Sequence, residues 1–218
     1  LIAGVYWLVN LLSIIMIHTT ILANVLHIIA SILLYPIVVV IMSIVPIVLL
    51  RFAKVPLDRK KIIIARTIYR DNPGLVIAVA GSYGKTSMKE LLVAGLSADK
   101  KGASTPGNRN TLLSQAQFAS KLSGDEDFVI VELGEGAPGD VAKMVDLIDP
   151  DYAVVTGLAP NHLDQYKNIE SIAKDFGALV DKVGVDRTYL NADSPELFRL
   201  LGTKGTNYSS DGFDGWVP

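Results

Sequence analysis

The sequence predicts an α/β protein with a mostly parallel sheet flanked by helices, preceded by an all-α transmembrane hairpin. Three observations lead to this prediction. Residues 1–50 contain no Lys, Arg, Asp or Glu, the rest of the chain alternates short apolar runs with helical patterns, and a glycine-flanked turn follows the first of those runs. Such alternation is typical of βαβ units, which build parallel sheets.

The uncharged leader, residues 1–50, is predicted to form membrane helices. A spanning helix needs about 20 apolar residues, whereas the apolar core of a signal peptide ends at about 15. The leader therefore has room for two spans, over 3–22 and 27–50, with a break near residues 18–20 or at Asn24. The alternatives are one long span with a re-entrant segment, or a hairpin buried inside a soluble protein.

Residues 51–73 are predicted to be a basic juxtamembrane segment with a short amphipathic helix over 57–70. The segment includes Arg51, Lys54, Arg59, Lys60 and Lys61. Basic residues beside a span mark the cytoplasmic side of a membrane. We therefore expect residues 74–218 to form a domain on the cytoplasmic side of the cytoplasmic membrane, with the lipid bilayer as a partner of the leader.

Residues 74–218 contain four apolar runs that predict strands. These runs are Leu75–Ala80, Phe128–Leu133, Tyr152–Thr156 and Arg187–Asn191. A helical pattern follows each run, at Lys85–Ser97, at Asp140–Leu147, at Ile169–Val183 and from Ser194 onward. Functional groups of a parallel sheet lie at the carboxyl ends of its strands. One edge is therefore expected to carry Gly81–Thr86, Glu132, the 157–164 loop and Asn191–Asp193.

The composition argues against several other kinds of site. The chain has no cysteine, which rules out disulfide scaffolds, thiolate metal sites and cysteine nucleophiles. Its net charge of -2 gives no sign of the basic surface typical of nucleic-acid binding, so nucleic acid is not expected as a partner.

The turn after the first strand reads Gly81-Ser82-Tyr83-Gly84-Lys85-Thr86, and Ser87 follows it. Glycines let backbone amides turn toward an anion, and a helix N-terminus adds its positive dipole. We expect these residues to bind nucleotide phosphates, with Lys85 on the β- and γ-phosphates and Thr86 on Mg²⁺. A plain glycine turn is the alternative, because Val79 stands where the general pattern has its first glycine. Lys89 and Glu90 are expected on the solvated face of the helix.

Four later segments, with this turn, resemble the motifs of one family in their order along the chain. They are Ser104–Thr111 (STPGNRNT), Val129–Gly134 (VIVELG), Ala159–Asp164 (APNHLD) followed by Asn168–Ala173, and Leu190–Asp193 (LNAD). Residues 75–195 thereby resemble the central domain of the Mur ligases, ATP-dependent enzymes that form amides. The resemblance implies a P-loop-type sheet, ATP and Mg²⁺ as cofactors, and a place at the bacterial cytoplasmic membrane in peptidoglycan precursor synthesis.

The resemblance also implies a reaction and its catalytic groups. Family members use ATP to convert a carboxylate into an acyl phosphate, which an amine then opens. Lys85, Glu132 and His162 would be catalytic, and Thr86, Glu132 and His162 would hold magnesium. A surface carboxylate is the alternative for Glu132, and an ordinary loop histidine is the alternative for His162.

Substrate contacts follow from the same resemblance. The implied substrates are a UDP-linked muramoyl peptide and the dipeptide D-alanyl-D-alanine. The acid substrate would meet Thr105, Asn108, Asn110 and Thr111, unless these residues only form a Pro-Gly turn. Asn191 and Asp193 would lie near the adenine, or would cap the helix that starts near Ser194.

The sequence departs from the family in the helix after the histidine loop. The family usually has a carbamylated lysine there, which binds metal, but Phe176 stands at that position, after Lys174 and Asp175. Substitution by Asp175 or Lys174, a second metal held in another way, and weakened catalysis are the alternatives. Residues 74–218 would be an ATP-binding central domain truncated at its C-terminus.

Three other functions stay open on the sequence alone. A ligase that builds a γ-linked polyglutamate capsule would use the same chemistry. A membrane-attached NTPase or kinase would need a Walker B aspartate, whereas the second strand ends in Glu132. A degenerate nucleotide-binding module is the third, because of Phe176.

Overall fold

The computed structural model describes residues 2–16, 21–107 and 109–213. The chain divides into two compact units, residues 1–57 and 58–218. The first unit contains helix α1 (Ile2–Met16) and the part of helix α2 (Ile21–Asp71) up to Leu57. Helix α2 continues through Pro36, Pro46 and Pro56.

Polar side chains join the two helices of the first unit. The Ser31 hydroxyl donates to Asn10 Oδ1 at 2.6 Å, and the Tyr6 hydroxyl donates to the Ser31 carbonyl at 3.1 Å. Ser13 Oγ and His27 Nε2 lie 3.2 Å apart. Because the surrounding side chains are almost all apolar, these bonds fix the register of α1 against α2.

One of the two suggested break positions and the separate short helix over 57–70 are not found. Asn24 lies inside α2 and makes no break, while the other suggested break, at residues 18–20, falls outside the described residues. The short helix over 57–70 is the last part of α2. One described helix, over Ala23–Asp71, has the length and apolar composition to cross a membrane. Helix α1, with 15 residues, is shorter than the roughly 20 that a span needs.

The second unit is built on one sheet. Its strands are β1 (Leu75–Ala80), β2 (Gly102–Ser104), β3 (Phe128–Glu132), β4 (Tyr152–Val155), β5 (Thr188–Asn191), β6 (Thr206–Ser209) and β7 (Gly212–Phe213). They lie in the order β2-β3-β1-β4-β5-β6-β7. All pairings are parallel except that of β7 with β6. The prediction of a mostly parallel sheet is confirmed.

Helices cover both faces of this sheet. They are α3 (Lys85–Leu96), α4 (Leu112–Ala119), α5 (Asp140–Ile148), α6 (Ile169–Val183) and α7 (Pro195–Leu201). The predicted strands and helices are present, with ends that differ by one residue at most. Four elements were not predicted: β2, α4, β6 and β7. Strand β2 has three residues, too few for an alternating pattern to be recognised.

Successive strand residues divide between two cores. Val79, Phe128 and Ile130 are buried beneath α3, together with Met88 and Leu92 of that helix. The neighbours of those residues along the strands, such as Ala78 and Val129, join the larger core with α4 to α7. This division follows from the alternation of side chains along a strand. Burial on both faces explains why Phe128–Val131 of β3 are continuously apolar.

The turn that leads into β3 is held by the buried carboxylate of Glu126. It accepts hydrogen bonds from the Ser123 amide at 2.6 Å, the Ser123 hydroxyl at 2.7 Å and Asn72 Nδ2 at 2.7 Å. Burial alone would raise the pKa of this carboxyl, but the bonds from Ser123 and Asn72 outweigh burial. Together they lower the pKa from 4.5 to about 2.

We predict that acid weakens this fold in part through Glu126. Because its pKa is lower in the folded state, its contribution to stability is complete above about pH 4.5 and is lost as the pH falls toward 2. The variant Glu126→Gln should therefore lose less unfolding free energy between about pH 6 and about pH 3, by on the order of 1 kcal/mol. Urea denaturation at a series of pH values measures this difference. Parallel pH profiles for the two proteins would contradict the prediction.

Candidate functional site

The turn Gly81–Thr86, here called the phosphate loop, connects the end of β1 to α3. Gly81 has a φ of 142°, and a Cβ at this position would lie 2.3 Å from Thr156 Oγ1. Gly84 has a φ of 75° directly before the first residue of α3. Both positions therefore require glycine, for backbone conformation and, at Gly81, also for space.

The segment after β4 supports the phosphate loop from behind. The Ser82 amide donates to the Gly157 carbonyl at 2.9 Å, and Asn161 Nδ2 donates to the Ser82 carbonyl at 2.8 Å. The Thr156 hydroxyl donates to the Tyr83 carbonyl. The loop is thus fixed while the N-terminus of α3 stays open to an anion.

Lys85 lies against a carboxylate that the sequence analysis did not single out. Its ammonium donates to the Gly81 carbonyl and lies 3.0 Å from Glu135 Oε2. The side chains of Lys85 and Glu135 are 13% and 3% exposed. Glu135 follows β3 by three residues, so the rule that places functional groups at the carboxyl ends of strands could have found it.

Glu132 is the last residue of β3 and is buried. Its carboxylate accepts hydrogen bonds from the Thr86 hydroxyl at 2.9 Å and from Asn110 Nδ2 at 3.3 Å. The ammonium of Lys89 lies 3.8 Å away. The alternative of a surface carboxylate is therefore incompatible with this structure.

The prediction of a solvated Lys89 was wrong, because this side chain is 0% exposed. Its ammonium donates to the carbonyls of Thr105 at 2.8 Å and Gly107 at 2.9 Å, and it lies 3.3 Å from the carboxylate of the exposed Glu90. Lys85 and Lys89 are four residues apart and so share one face of α3. That spacing was the signal available in the sequence.

Three of the four predicted substrate-binding residues, Thr105, Asn110 and Thr111, lie within the described part of the chain. Thr105 is buried, and its hydroxyl accepts from the Glu132 amide at 3.1 Å, so it holds the strand end and is not open to a substrate. Thr111 caps α4 in a reciprocal pair with Ser114. Asn110 and Thr111 line the cavity beside the phosphate loop. Asn108 lies outside the described residues.

A cavity of about 520 Å³ opens beside the phosphate loop. Its wall includes Ser82, Lys85, Asn110, Glu135, Asn161 and His162. His162 is exposed and has a left-handed backbone with a φ of 52°. The structure therefore brings His162 to the same cavity as Lys85, whereas Glu132 is not among the residues that line this cavity. Within the described residues there is no group of three or more His, Asp or Glu arranged as a metal site.

Asn191 and Asp193 lie at the end of β5, and their hydrogen bonds do not cap α7. Asn191 Nδ2 donates to the Thr156 carbonyl at 2.9 Å, and its Oδ1 accepts from the Asp193 amide at 3.0 Å. Asp193 accepts from the Ser210 amide at 2.7 Å. Asn191 thus ties β5 to the strand that supports the phosphate loop.

The residues around the departure from the family pattern do not supply an acid to the cavity. Phe176 is 0% exposed in the core. Asp175 accepts from the Tyr166 hydroxyl at 2.8 Å and from the amides of Gly139 and Val141 at 3.0 and 3.4 Å. It therefore caps the N-terminus of α5 from a neighbouring helix, and burial followed by this bond to Asp175 raises the pKa of Tyr166. Lys174 is exposed, so neither neighbour substitutes for the lysine.

The glycine loop, the helix that begins at Lys85 and the buried charges at the strand ends define an α/β domain of the phosphate-loop class. Residues 79–215 match the Mur ligase middle domain, so the chain belongs to the Mur ligase family. The resemblance inferred from the motifs is confirmed.

Several relatives are UDP-N-acetylmuramoyl-tripeptide–D-alanyl-D-alanine ligases. The Escherichia coli (strain K12) enzyme is 33% identical over 116 residues, which cover 53% of this chain and 26% of that one. The Rickettsia prowazekii (strain Madrid E) enzyme is 32% identical over 98 residues, which cover 45% and 22%. This chain thus spans about a quarter of the length of the curated relatives it matches.

Solved structures agree with the fold. The MurF ligase from Thermotoga maritima in complex with ADP is similar with a TM-score of 0.64 at 24% identity, over 72% of this chain and 38% of that one. MurF from Acinetobacter baumannii gives a TM-score of 0.61 at 22% identity, over 69% and 34%.

The predicted location at the bacterial cytoplasmic membrane was wrong. The relatives are soluble cytoplasmic enzymes, which contradicts it. One long apolar helix near the N-terminus is weak evidence, since a core helix of a soluble protein or a signal sequence meets the same test. The lipid bilayer as a partner has no support either.

We predict that Lys89 is required for stability. Replacing it with methionine keeps the apolar stem but leaves the carbonyls of Thr105 and Gly107 without their donor and removes the positive charge near Glu132. Lys89→Met should therefore lower the unfolding free energy by about 2–4 kcal/mol. Lys174→Met, at an exposed position, should change it by less than about 0.5 kcal/mol. Chemical denaturation measures both, and equal stability of the two variants would contradict the prediction.

Proposed function

We propose that this chain is the ATP-binding part of an ADP-forming peptide ligase of peptidoglycan precursor synthesis, which adds D-alanyl-D-alanine to a UDP-muramoyl peptide. The observation that carries the proposal is the partly buried Lys85 at the end of a glycine loop, in a Mur ligase middle domain. The substrates are those of the relatives, which are UDP-N-acetylmuramoyl-tripeptide–D-alanyl-D-alanine ligases.

The phosphates of ATP bind at the loop. Backbone amides of the loop and the N-terminal dipole of α3 attract the β- and γ-phosphates, and Lys85 neutralises them. Asn191, whose side chain donates to the Thr156 carbonyl, would lie near the adenine, as the family likeness implies.

Oxygen groups that suit magnesium lie next to the phosphates. The Thr86 hydroxyl and the Glu132 carboxylate are 2.9 Å apart, and both offer oxygen ligands of the kind that Mg²⁺ prefers. Thr86 and Glu132 would hold Mg²⁺, and His162 stays a predicted ligand from the cavity wall. When bound, Mg²⁺ neutralises charge on the transferring phosphoryl group.

The acid substrate occupies the cavity in front of Lys85. Its carboxylate attacks the γ-phosphorus of ATP, the bond from that phosphorus to the β–γ bridging oxygen breaks, and ADP leaves. The amine of the dipeptide then attacks the acyl carbon and releases inorganic phosphate. The residues of this chain position the groups: Lys85 holds the phosphates, and Asn110 presents its amide at the cavity wall.

A degenerate nucleotide-binding module is the second candidate. The observation in its favour is Phe176, which is buried in the core at the position where the family usually has its metal-binding lysine. An NTPase is the third outcome that the same assay separates, because it would release ADP without any acid substrate.

The decisive assay is ADP release by the full-length protein with Mg-ATP, UDP-muramoyl-tripeptide and D-alanyl-D-alanine. We predict turnover only when both substrates are present, and a loss of kcat/KM of at least about 100-fold in Lys85→Ala, because the phosphates lose their buried counter-charge. Lys174→Ala should keep the rate of the unaltered protein.

Other outcomes would overturn the proposal. ADP release without the acid would indicate an NTPase. Nucleotide binding without turnover on any combination of substrates would indicate the degenerate module.

A further inference from the structure

Two lysines and two carboxylates lie largely out of solvent beside the phosphate loop, and each lysine has one of these carboxylates near it. Glu135 lies 3.0 Å from Lys85, and Glu132 lies 3.8 Å from Lys89. The four side chains are between 0% and 13% exposed. Each charge therefore depends on nearby protein groups for compensation, because little water reaches it.

The two pairs differ in their freedom to separate. Lys89 also holds the carbonyls of Thr105 and Gly107, and Glu132 also accepts from Thr86 and Asn110. That pair is locked by backbone that packs around it. Lys85 and Glu135 instead line the cavity and meet whatever enters it.

A nucleotide on the phosphate loop must disturb the Lys85–Glu135 pair. Phosphate oxygens compete with the Glu135 carboxylate for the same ammonium and bring negative charge toward a carboxylate that is 3% exposed. A buried carboxylate that loses its partner is strongly destabilising. A second positive charge at this position would remove that cost.

We propose that Glu135 exchanges Lys85 for the divalent cation that accompanies the nucleotide, and so becomes a ligand of that cation, directly or through a water molecule. The inference rests on the proposed function. Carboxylate oxygen is the preferred ligand of Mg²⁺. His162 and Asn161 line the same cavity, whereas Asp175 is held by the amides of α5 and by Tyr166. Glu135 thereby supplies a buried acid that position 176 lacks.

The exchange couples metal binding to nucleotide binding. In the unaltered protein, ATP without metal competes with Glu135 for Lys85 and binds weakly, and Mg²⁺ strengthens binding by about 10- to 100-fold. In Glu135→Gln, which keeps the shape but removes the charge, ATP without metal should bind about 10-fold more tightly. The gain from Mg²⁺ should then fall to about twofold or less.

The test is isothermal titration of the full-length protein with a non-hydrolysable ATP analogue, in EDTA and in Mg²⁺. Glu135→Asp, which keeps the charge, should retain most of the metal effect. Asp181→Asn is the matched control, because it removes one carboxylate charge from an exposed position of α6 and should leave the metal effect unchanged. Mn²⁺ binding in the presence of the analogue, followed by electron paramagnetic resonance, should weaken in Glu135→Gln and gives a readout independent of catalysis.

The outcomes separate this inference from the proposed function. An unchanged metal effect and unchanged Mn²⁺ affinity in Glu135→Gln would overturn the inference. If Lys85→Ala at the same time no longer binds the ATP analogue, the proposed ATP site still stands. Equal analogue binding by Lys85→Ala and the unaltered protein would overturn both. If Glu135→Gln fails to fold, Glu135→Asp takes its place in the test. A retained metal effect with weaker Mn²⁺ binding in Glu135→Asp supports the inference. Mn²⁺ binding equal to that of the unaltered protein overturns it.

Discussion

Mutual neutralisation of four buried charges at the end of β3 is the constraint on which this site depends. An ion removed from water costs several kcal/mol unless a partner compensates it, so Lys85, Lys89, Glu132 and Glu135 must lie close together. The surrounding chain contributes to the compensation of these charges. The carbonyls of Thr105 and Gly107 accept from Lys89, and the side-chain Nδ2 of Asn110 donates to Glu132.

The framework of the second unit was accessible from the sequence, because apolar runs and helical spacing record burial directly. Strand β1 and helix α6 have the predicted ends. The strand β2 was missed because three residues, Gly102–Ser104, carry no pattern, and its place at the sheet edge comes from pairing with β3. The continuity of α2 was also missed, since polar residues such as Asn24 can bond within a helical pair as well as break a helix.

The candidate site was predicted less completely than the fold, for a physical reason. The glycine turn is visible because its backbone conformation demands particular residues, at Gly81 and Gly84. Burial of a lysine is invisible in composition, since Lys89 would be equally compatible with a solvated helix face if no loop covered it. Thr105 shows the opposite error, because a short polar side chain that suggests a substrate contact instead bonds to the backbone of β3.

The Phe176 position links the fold to the chemistry. In helix α6, Phe176 packs in the core and the preceding residue, Asp175, caps the N-terminus of α5. Neither side chain is therefore a metal ligand at the cavity. The buried acid that lines the cavity, Glu135, comes from a different element, the segment after β3. Lys85 and Glu135 neutralise each other at a distance of 3.0 Å, and together they give the cavity wall one positive and one negative group. Both charged groups already lie at the cavity wall, so a nucleotide that arrives with a cation would change the partners of Lys85 and Glu135 without bringing either residue from another part of the fold.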